Sequence, residues 1–262
     1  HAGVDKVSFT GSSEVGKIII GAARGNLKRV TLELGGKSPV IVFPDADIDK
    51  ACDAIARGIF FNCGQSCVAG SRVFVHRSVY TRVVAGVAAR AERLKVGPGI
   101  APDTELGPLV SDEQQARVAR YLGEGRAAGA RTVTGGQLIE GPGYFVQPTV
   151  FADVQPGMSI CTDEIFGPVL CVLPFETMDL DAIAALANDT AYGLSSYVWT
   201  RDLVTAHAMA RRIKAGMVRI NCVGVVDNAM PFGGYKQSGW GRENGLEGVE
   251  IFTEVKSVML AT

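Results

Sequence analysis

The chain has 262 residues, a length that allows one large or two ordinary domains and burial of about three quarters of the unfolded surface. Its 26 Lys and Arg side chains balance 27 Asp and Glu, so the net charge of −1 gives no field that would attract nucleic acid or an anionic membrane. No apolar run approaches the ~18 residues of a membrane span, and the six cysteines do not resemble a disulfide scaffold. These features predict a soluble protein of a reducing, cytoplasmic compartment, without nucleic-acid or membrane partners.

Strand-like apolar runs alternate with amphipathic, helix-like segments along most of the chain. The predicted strands are 4–9, 27–34, 38–43, 72–76, 145–151, 169–175, 194–200 and 217–221, and the predicted helices are 17–23, 48–61, 78–96, 112–128, 180–188 and 203–215. This alternation predicts an α/β fold with a largely parallel sheet and flanking helices. Asp45 and Asp47 are the cap candidates for the helix at 48–61. The polar face of the helix at 112–128, with Gln114 and Arg117, is interpreted as a solvated surface.

One stretch, 60–72, contains the best candidate for a nucleophile. Cys67 lies in a glycine-flanked connection between the helix at 48–61 and the strand at 72–76. A thiol there can be partly exposed and close to backbone N–H groups, which lower the pKa of a cysteine and favour the thiolate. The alternative is a small, buried hydrophobic cysteine.

A second stretch, 30–39, contains a candidate general base. Glu33 lies between Leu32 and Leu34 at the end of an apolar run, directly before Gly35 and Gly36. The glycine pair allows close approach of another backbone segment. Apolar neighbours raise the pKa of a carboxylate, so Glu33 could accept a proton near neutral pH.

Two further stretches contain candidate binding residues. Gly11, Ser12 and Gly16 stand at a strand-to-helix turn, where free N–H groups and the helix dipole favour a phosphate, although an ordinary turn explains the same pattern. Glu164 and Phe166 precede a Gly–Pro turn and an apolar strand. They are suited to a ribose and a flat ring, or equally to stabilising the turn and the core.

Together, the stretches 30–39 and 60–72 resemble the paired signatures of the aldehyde dehydrogenase superfamily. The resemblance continues through 164–169 and 231–239 and covers essentially the whole chain. It implies the fold of the aldehyde dehydrogenase catalytic domain and oxidation of an aldehyde to a carboxylate with NAD or NADP. It also implies that Cys67 forms a thioester intermediate, that Glu33 activates the hydrolytic water, and that Glu243 takes part in a proton relay.

The same resemblance implies binding residues. The implied coenzyme-binding residues are Gly11, Ser12, Gly16, Leu34, Glu164 and Phe166, with Glu164 on the nicotinamide ribose and Phe166 against the nicotinamide. The implied substrate-pocket residues are Phe232, Val223 and Val226. The moderate apolar character of the segment 222–228 favours an apolar or mixed aldehyde over a highly charged one.

The chain opens without a methionine in the middle of a βαβ unit, and the resemblance implies a long section before it. We therefore expect the C-terminal part of a larger enzyme: a remnant of a Rossmann-like coenzyme domain at 1–34, a catalytic domain at 35–230 and a C-terminal segment at 231–262. Alternation in 253–260 predicts a terminal edge strand, which needs a neighbouring strand. In the family such a strand augments the sheet of a partner subunit, so a homo-oligomer, dimer or tetramer, is expected.

Two other functions are compatible with the sequence. The first is a catalytically silent binding or structural module that keeps the fold. The second is a thiol redox protein that uses Cys63 and Cys67, although their spacing is not that of a thioredoxin-like motif. A metal site is not expected, because these two cysteines lack the second ligand pair of a zinc site.

Overall fold

The computed structural model describes residues 1–225 and 227–262. Its helices are α1 (Ser13–Ala23), α2 (Ile48–Phe60), α3 (Arg77–Arg93), α4 (Asp112–Ala127), α5 (Ser159–Thr162), α6 (Leu180–Asn188), α7 (Leu203–Arg212) and α8 (Glu247–Glu250). Its strands are β1 (Lys6–Thr10), β2 (Arg29–Glu33), β3 (Pro39–Val42), β4 (Arg72–His76), β5 (Arg131–Thr134), β6 (Thr149–Ala152), β7 (Val169–Phe175), β8 (Ser195–Trp199), β9 (Met217–Ile220) and β10 (Gly239–Trp240).

The larger sheet has the strand order β5-β6-β7-β4-β3-β8-β9. Its neighbouring strands are parallel except for β5, which pairs antiparallel with β6. The interior strand β3 is buried at every position, as expected for a parallel strand covered on both faces. Helices α2 and α3 pack on each other, as do α6 and α7. The predicted α/β class with a largely parallel sheet is confirmed.

Helix α2 positions the segment that contains Cys67. Asp47 caps the helix by accepting a hydrogen bond from the Lys50 backbone N–H at 3.2 Å. One face of the helix is buried in the main core through residues such as Ile55 and Ile59. Asp45, the other cap candidate, instead accepts hydrogen bonds from the Thr200 hydroxyl, at 2.9 and 2.8 Å, and so fixes the entry to α2 against the end of β8.

The smaller sheet joins the two ends of the chain. Strand β2 pairs parallel with β1 and antiparallel with β10, with Gly239 opposite Glu33 and Trp240 opposite Leu32. The indole N–H of Trp240 donates to the Val30 carbonyl at 2.7 Å. The two-residue strand β10 therefore adds a third strand to the sheet formed by β1 and β2, a pairing that the sequence did not predict.

The single chain does not form the terminal strand predicted at 253–260, so this strand stays a prediction for a chain paired with a partner subunit. Residues 253–262 have no regular secondary structure and are exposed, with Val255 97% exposed. An edge strand needs a partner for its backbone groups, and this segment pairs with no other described strand. Among the described residues, no helix combines the length and hydropathy needed to cross a membrane.

Candidate active site

Cys67 lies where the sequence predicted it, between α2 and β4. Helix α2 ends in a short 3₁₀ turn at Phe61–Gly64, and the half-buried Cys67 follows in an irregular loop. Asn62 and Gln65 fix this loop, because the side-chain amide of each donates to the backbone carbonyl of the other, at 2.9 and 3.2 Å. The hydroxyl of Tyr197, on β8, donates to the Val68 carbonyl at 2.7 Å and holds the loop against the main sheet.

Strained backbone flanks the nucleophile candidate. Asn62 and Cys63 have φ angles of 51° and 56°, and Phe166 has φ 57°. Left-handed conformations of this kind cost about 1–3 kcal/mol for most non-glycine residues and occur often at functional sites. Phe166 is 38% exposed and lies two residues after Glu164.

Gly35 and Gly36 bring three predicted stretches together. A Cβ atom on Gly36 would stand 2.2 Å from the Cys67 carbonyl oxygen, and one on Gly35 would stand 2.1 Å from Oε2 of Glu164. The Gly36 N–H donates to Oε1 of Glu164 at 2.9 Å. Only glycine permits this approach, so the pair fixes the Cys67 loop and Glu164 against the end of β2.

Glu33 has the properties of a general base. It is only 6% exposed at the end of β2, and its Oε2 has no hydrogen-bond partner among the described residues. Burial raises the pKa of Glu33 to about 8; the nearby charge of Glu243 also raises it, and Arg242 opposes the shift. The sequence-based expectation of a raised pKa is confirmed, with the carboxylate of Glu243 as a second cause.

The stretch 231–243 closes over Glu33. Phe232 and Glu243 exchange backbone hydrogen bonds of 2.7 Å in both directions, which fixes Glu243 beside the site. A Cβ on Gly233 would lie 2.8 Å from Oε1 of Glu33. Ser238, which the sequence analysis missed, is fully buried and donates from its hydroxyl to the Gly35 carbonyl at 2.6 Å.

The expected low pKa of the Cys67 thiol is wrong. Burial raises this pKa, and the charges of Glu164 and Glu33 raise it further; backbone hydrogen bonds from Cys67 and Val68 oppose the shift without reversing it. Burial and the two carboxylate charges therefore disfavour the thiolate of Cys67.

The glycine turn at the start of the chain forms a helix N-terminus. Ser12 caps α1, its hydroxyl accepting from the Val15 N–H at 3.2 Å. The Gly11 N–H donates to the Glu33 carbonyl at 3.0 Å, and a Cβ on Gly16 would stand 2.8 Å from Leu34. This turn therefore lies directly beside the Glu33 segment.

Helix α4 holds the Glu164 segment, which corrects the interpretation of its polar face as merely solvated. The side-chain amide of Gln114 donates to the carbonyls of Ile165 and Phe166 at 2.9 and 2.8 Å. Arg117 donates to the Glu164 carbonyl at 2.6 Å. The three-residue spacing of Gln114 and Arg117, which places them on one helix face, was the available signal.

The predicted aldehyde entrance is described only in part. A Cβ on Gly58, in α2, would lie 3.2 Å from Cγ2 of Val223, so the loop after β9 rests on α2. Val223 also lines a small cavity together with Gly70 and Tyr197. Val226 lies outside the described residues.

Comparisons with known proteins identify the family of the chain. The aldehyde dehydrogenase family model matches residues 1–258. The chain belongs to the aldehyde dehydrogenase family. It is 52% identical over 258 residues to DhaS of Bacillus subtilis (strain 168), a protein whose name classes it with the aldehyde dehydrogenases. The match covers 98% of this chain and 52% of that protein. It is 47% identical to the mitochondrial aldehyde dehydrogenase of Homo sapiens, with 98% of this chain and 50% of that protein covered.

A solved aldehyde dehydrogenase has the same fold. The NAD⁺ complex of the Bacillus cereus enzyme superposes with a TM-score of 0.95 at 48% identity, over 98% of this chain and 52% of that one. The chain thus spans about half the length of the aldehyde dehydrogenases it matches. Because one of these relatives is named as mitochondrial, the cytoplasmic localisation stays a prediction.

Proposed function

We propose that this chain supplies the catalytic cysteine and the general base of an enzyme that oxidises an aldehyde to a carboxylate with NAD or NADP. The observation that supports it most directly is the meeting of Cys67, Glu33 and Glu164 around Gly35 and Gly36. A buried cysteine of purely structural use would not need two carboxylates of raised pKa beside it.

The residues present fit a nicotinamide dinucleotide. The N-terminus of α1, which Ser12 caps, offers backbone N–H groups for a diphosphate. Glu164 keeps Oε2 for ribose hydroxyls after Oε1 accepts from Gly36. The partly exposed ring of Phe166 offers an apolar face to a flat ring. When bound, the coenzyme supplies the hydride acceptor.

In the first half of the reaction, Cys67 forms a bond to the aldehyde carbon. The thiol proton leaves to water as the S–C bond forms, because Cys67 is only half buried. The oxygen of the resulting hemithioacetal becomes an oxyanion, for which the backbone N–H of Cys67 is the donor in this proposal. Loss of hydride from the same carbon restores the C=O bond and leaves an acyl group on Cys67 as a thioester.

In the second half, Glu33 acts as the base. It takes a proton from a water whose oxygen attacks the thioester carbon; the C–S bond breaks, the carboxylate is released and Cys67 is regenerated. Glu243 is exposed and close enough to raise the pKa of Glu33, so it is suited to pass that proton to solvent. The enzyme works in the cytoplasm as a homo-oligomer in this proposal.

The direct experiment measures reduced nicotinamide by absorbance when aldehyde and NAD or NADP are added to the enzyme that contains this chain. Cys67→Ser should abolish turnover, whereas Cys222→Ser, at the other half-buried cysteine, should retain it. A titration of NAD and NADP, followed by tryptophan fluorescence, accompanies the assay. Absence of binding by both coenzymes would favour the silent module instead.

A further inference from the structure

A groove of about 480 Å³ opens on the surface beside the C-terminal end of α2. Its walls come from α2, from the end of α3 and from the loop that follows α3; they include Arg57, Phe60, Phe61, Arg93 and Leu94. We call this feature the basic groove. None of the residues assigned above to the acyl-transfer chemistry lines it.

The charges in the basic groove are unevenly paired. Of its three arginines, Arg90 forms an ion pair with Asp53 and is held further by the Gly86 carbonyl at 2.9 Å. Glu105 accepts from the Lys95 backbone N–H at 3.0 Å. Arg57 and Arg93 have no carboxylate within ion-pair distance among residues 1–225 and 227–262. Two guanidinium groups are therefore available to an anion.

The groove also has an apolar wall. Phe61 is 71% exposed, an unusual state for a side chain of this size, and Leu94 is half buried. Arg57 and Phe61 are four residues apart at the end of α2, so their side chains leave the same side of the helix. An aromatic face and a guanidinium next to each other suit a ligand with an apolar body and an anionic end.

The position of Arg57 connects the groove to the catalytic loop. Phe61 opens the turn Phe61–Gly64 that leads to Cys67. A Cβ on Gly224 would stand 3.4 Å from Nη2 of Arg57, and the neighbouring Val223 rests on Gly58. Val223 in turn shares a cavity with Tyr197, which binds the residue after Cys67. The loop that contains Val223 and Gly224 thus contacts Arg57 on one side and lies beside Tyr197, which holds the Cys67 loop, on the other.

We propose that Arg57 is a specificity-determining residue that binds the carboxylate of an aldehyde carrying a negative charge at the end remote from its carbonyl. This inference rests on the proposed function and names its substrate class. The apolar middle of such a substrate lies against Phe61, and the planar guanidinium of Arg57 donates to both carboxylate oxygens. Such a substrate is the mixed aldehyde that the sequence favours, with an apolar body and a single charge at the end far from its carbonyl.

The test compares para-formylbenzoate with its uncharged methyl ester in the enzyme that contains this chain. The measured quantity is the ratio of kcat/KM for the acid to kcat/KM for the ester, so effects common to both aldehydes cancel. Arg57→Met should lower this ratio by about 10- to 100-fold, the loss expected for a charge-assisted hydrogen bond, mainly through KM of the acid. Arg57→Lys should recover part of it.

Two controls assign the effect to Arg57. Arg93→Met tests the second unpaired guanidinium, and Arg82→Met removes an exposed arginine of the same helix outside the groove; each should change the ratio by less than about threefold. Higher salt should lower the ratio in the parent enzyme and leave it unchanged in Arg57→Met. If both aldehydes are oxidised and Arg57→Met leaves the ratio unchanged, the inference is wrong and the proposed function stands. If the parent enzyme oxidises no aldehyde, both are wrong.

Discussion

Two causes, burial and a nearby charge, raise the pKa of Glu33. The apolar residues around it supply the larger part of the upward pKa shift through burial, and Glu243 supplies the next part through its charge. The first cause was visible in the sequence, because Glu33 lies between two leucines. The second was not, since Glu243 is distant in the chain and reaches the site only through the pairing of Phe232 with Glu243.

Replacement of Glu243 by Gln should move the pH dependence of deacylation to lower pH. Glu33 acts as a base only when ionised, so deacylation rises as the pH passes its pKa of about 8. Without the Glu243 charge that pKa falls, although burial keeps it above its ordinary value. The measurement is the pH profile of single-turnover deacylation, with Glu250→Gln as the exposed control. An acidic limb that stays in place or moves to higher pH would show that Glu243 does not act on Glu33.

Lys37, next to the glycine pair, is a second unusual side chain. It is 2% exposed, and its Nζ has no hydrogen-bond partner among the described residues. Burial lowers the pKa of Lys37 below its ordinary value. Because the unfolded chain then binds more protons than the folded one, Lys37 makes the protein less stable as the pH falls below the unfolded pKa.

Lys37→Met should therefore raise the free energy of unfolding at neutral pH by about 1–3 kcal/mol, the cost of a buried polar group without a partner. The gain should shrink as the pH rises through the ordinary pKa of lysine, because above that pKa the side chain is neutral in both the folded and the unfolded state. Urea unfolding at several pH values measures it, with the exposed Lys50→Met as control. A loss of stability at all pH values would mean that Lys37 has a stabilising partner.

At the scale of elements, the sequence predicted the helices and strands whose ends are marked by nearby residues in the chain. The bounds of β4, β7 and α6 agree with the prediction at both ends, because capping residues or buried apolar runs mark them. β10 is two residues long and exists only through its pairing with β2, and β5 is a short edge strand with an irregular register. β10 has no local signal, and the three β-branched residues of β5 are too short a run to predict a strand alone, so both were missed.

Helix α4 is the element whose role the sequence concealed. Its residue Gln114 donates two hydrogen bonds to the Glu164–Phe166 segment, so Gln114→Ala should weaken NAD binding by about 5- to 30-fold while the fold is kept. Fluorescence titration of NAD measures the change, and Glu113→Ala, at an exposed neighbour on the same helix, is the matched control. Equal affinity in Gln114→Ala and Glu113→Ala would remove α4 from the coenzyme site.

For the whole molecule, residues 253–262 are the segment whose exposed apolar side chains have no packing partner within the described part of the single chain. Residues 253–262 expose Val255, Met259 and Leu260. The segment is tied to Arg29 at its start, where the Thr253 carbonyl accepts a hydrogen bond at 3.4 Å and Glu254 forms an ion pair at 2.6 Å. Such a segment is suited to join the sheet of a second copy. Deletion of residues 253–262 should lower the oligomeric mass in sedimentation, whereas Glu254→Gln should not. Unchanged mass after deletion would exclude this segment from the interface.

The central claim is that Cys67 carries the acyl intermediate and Glu33 is needed to hydrolyse it. The most direct measurement is mass spectrometry of the acid-quenched Glu33→Gln enzyme after mixing with aldehyde and NAD, with reduced coenzyme followed in parallel. The account predicts a burst of reduced coenzyme, steady turnover slowed by about 10²–10⁴-fold, and an acyl mass that peptide fragmentation assigns to Cys67. Turnover without that acyl mass, or the mass on Cys63 or Cys222 instead, would contradict it.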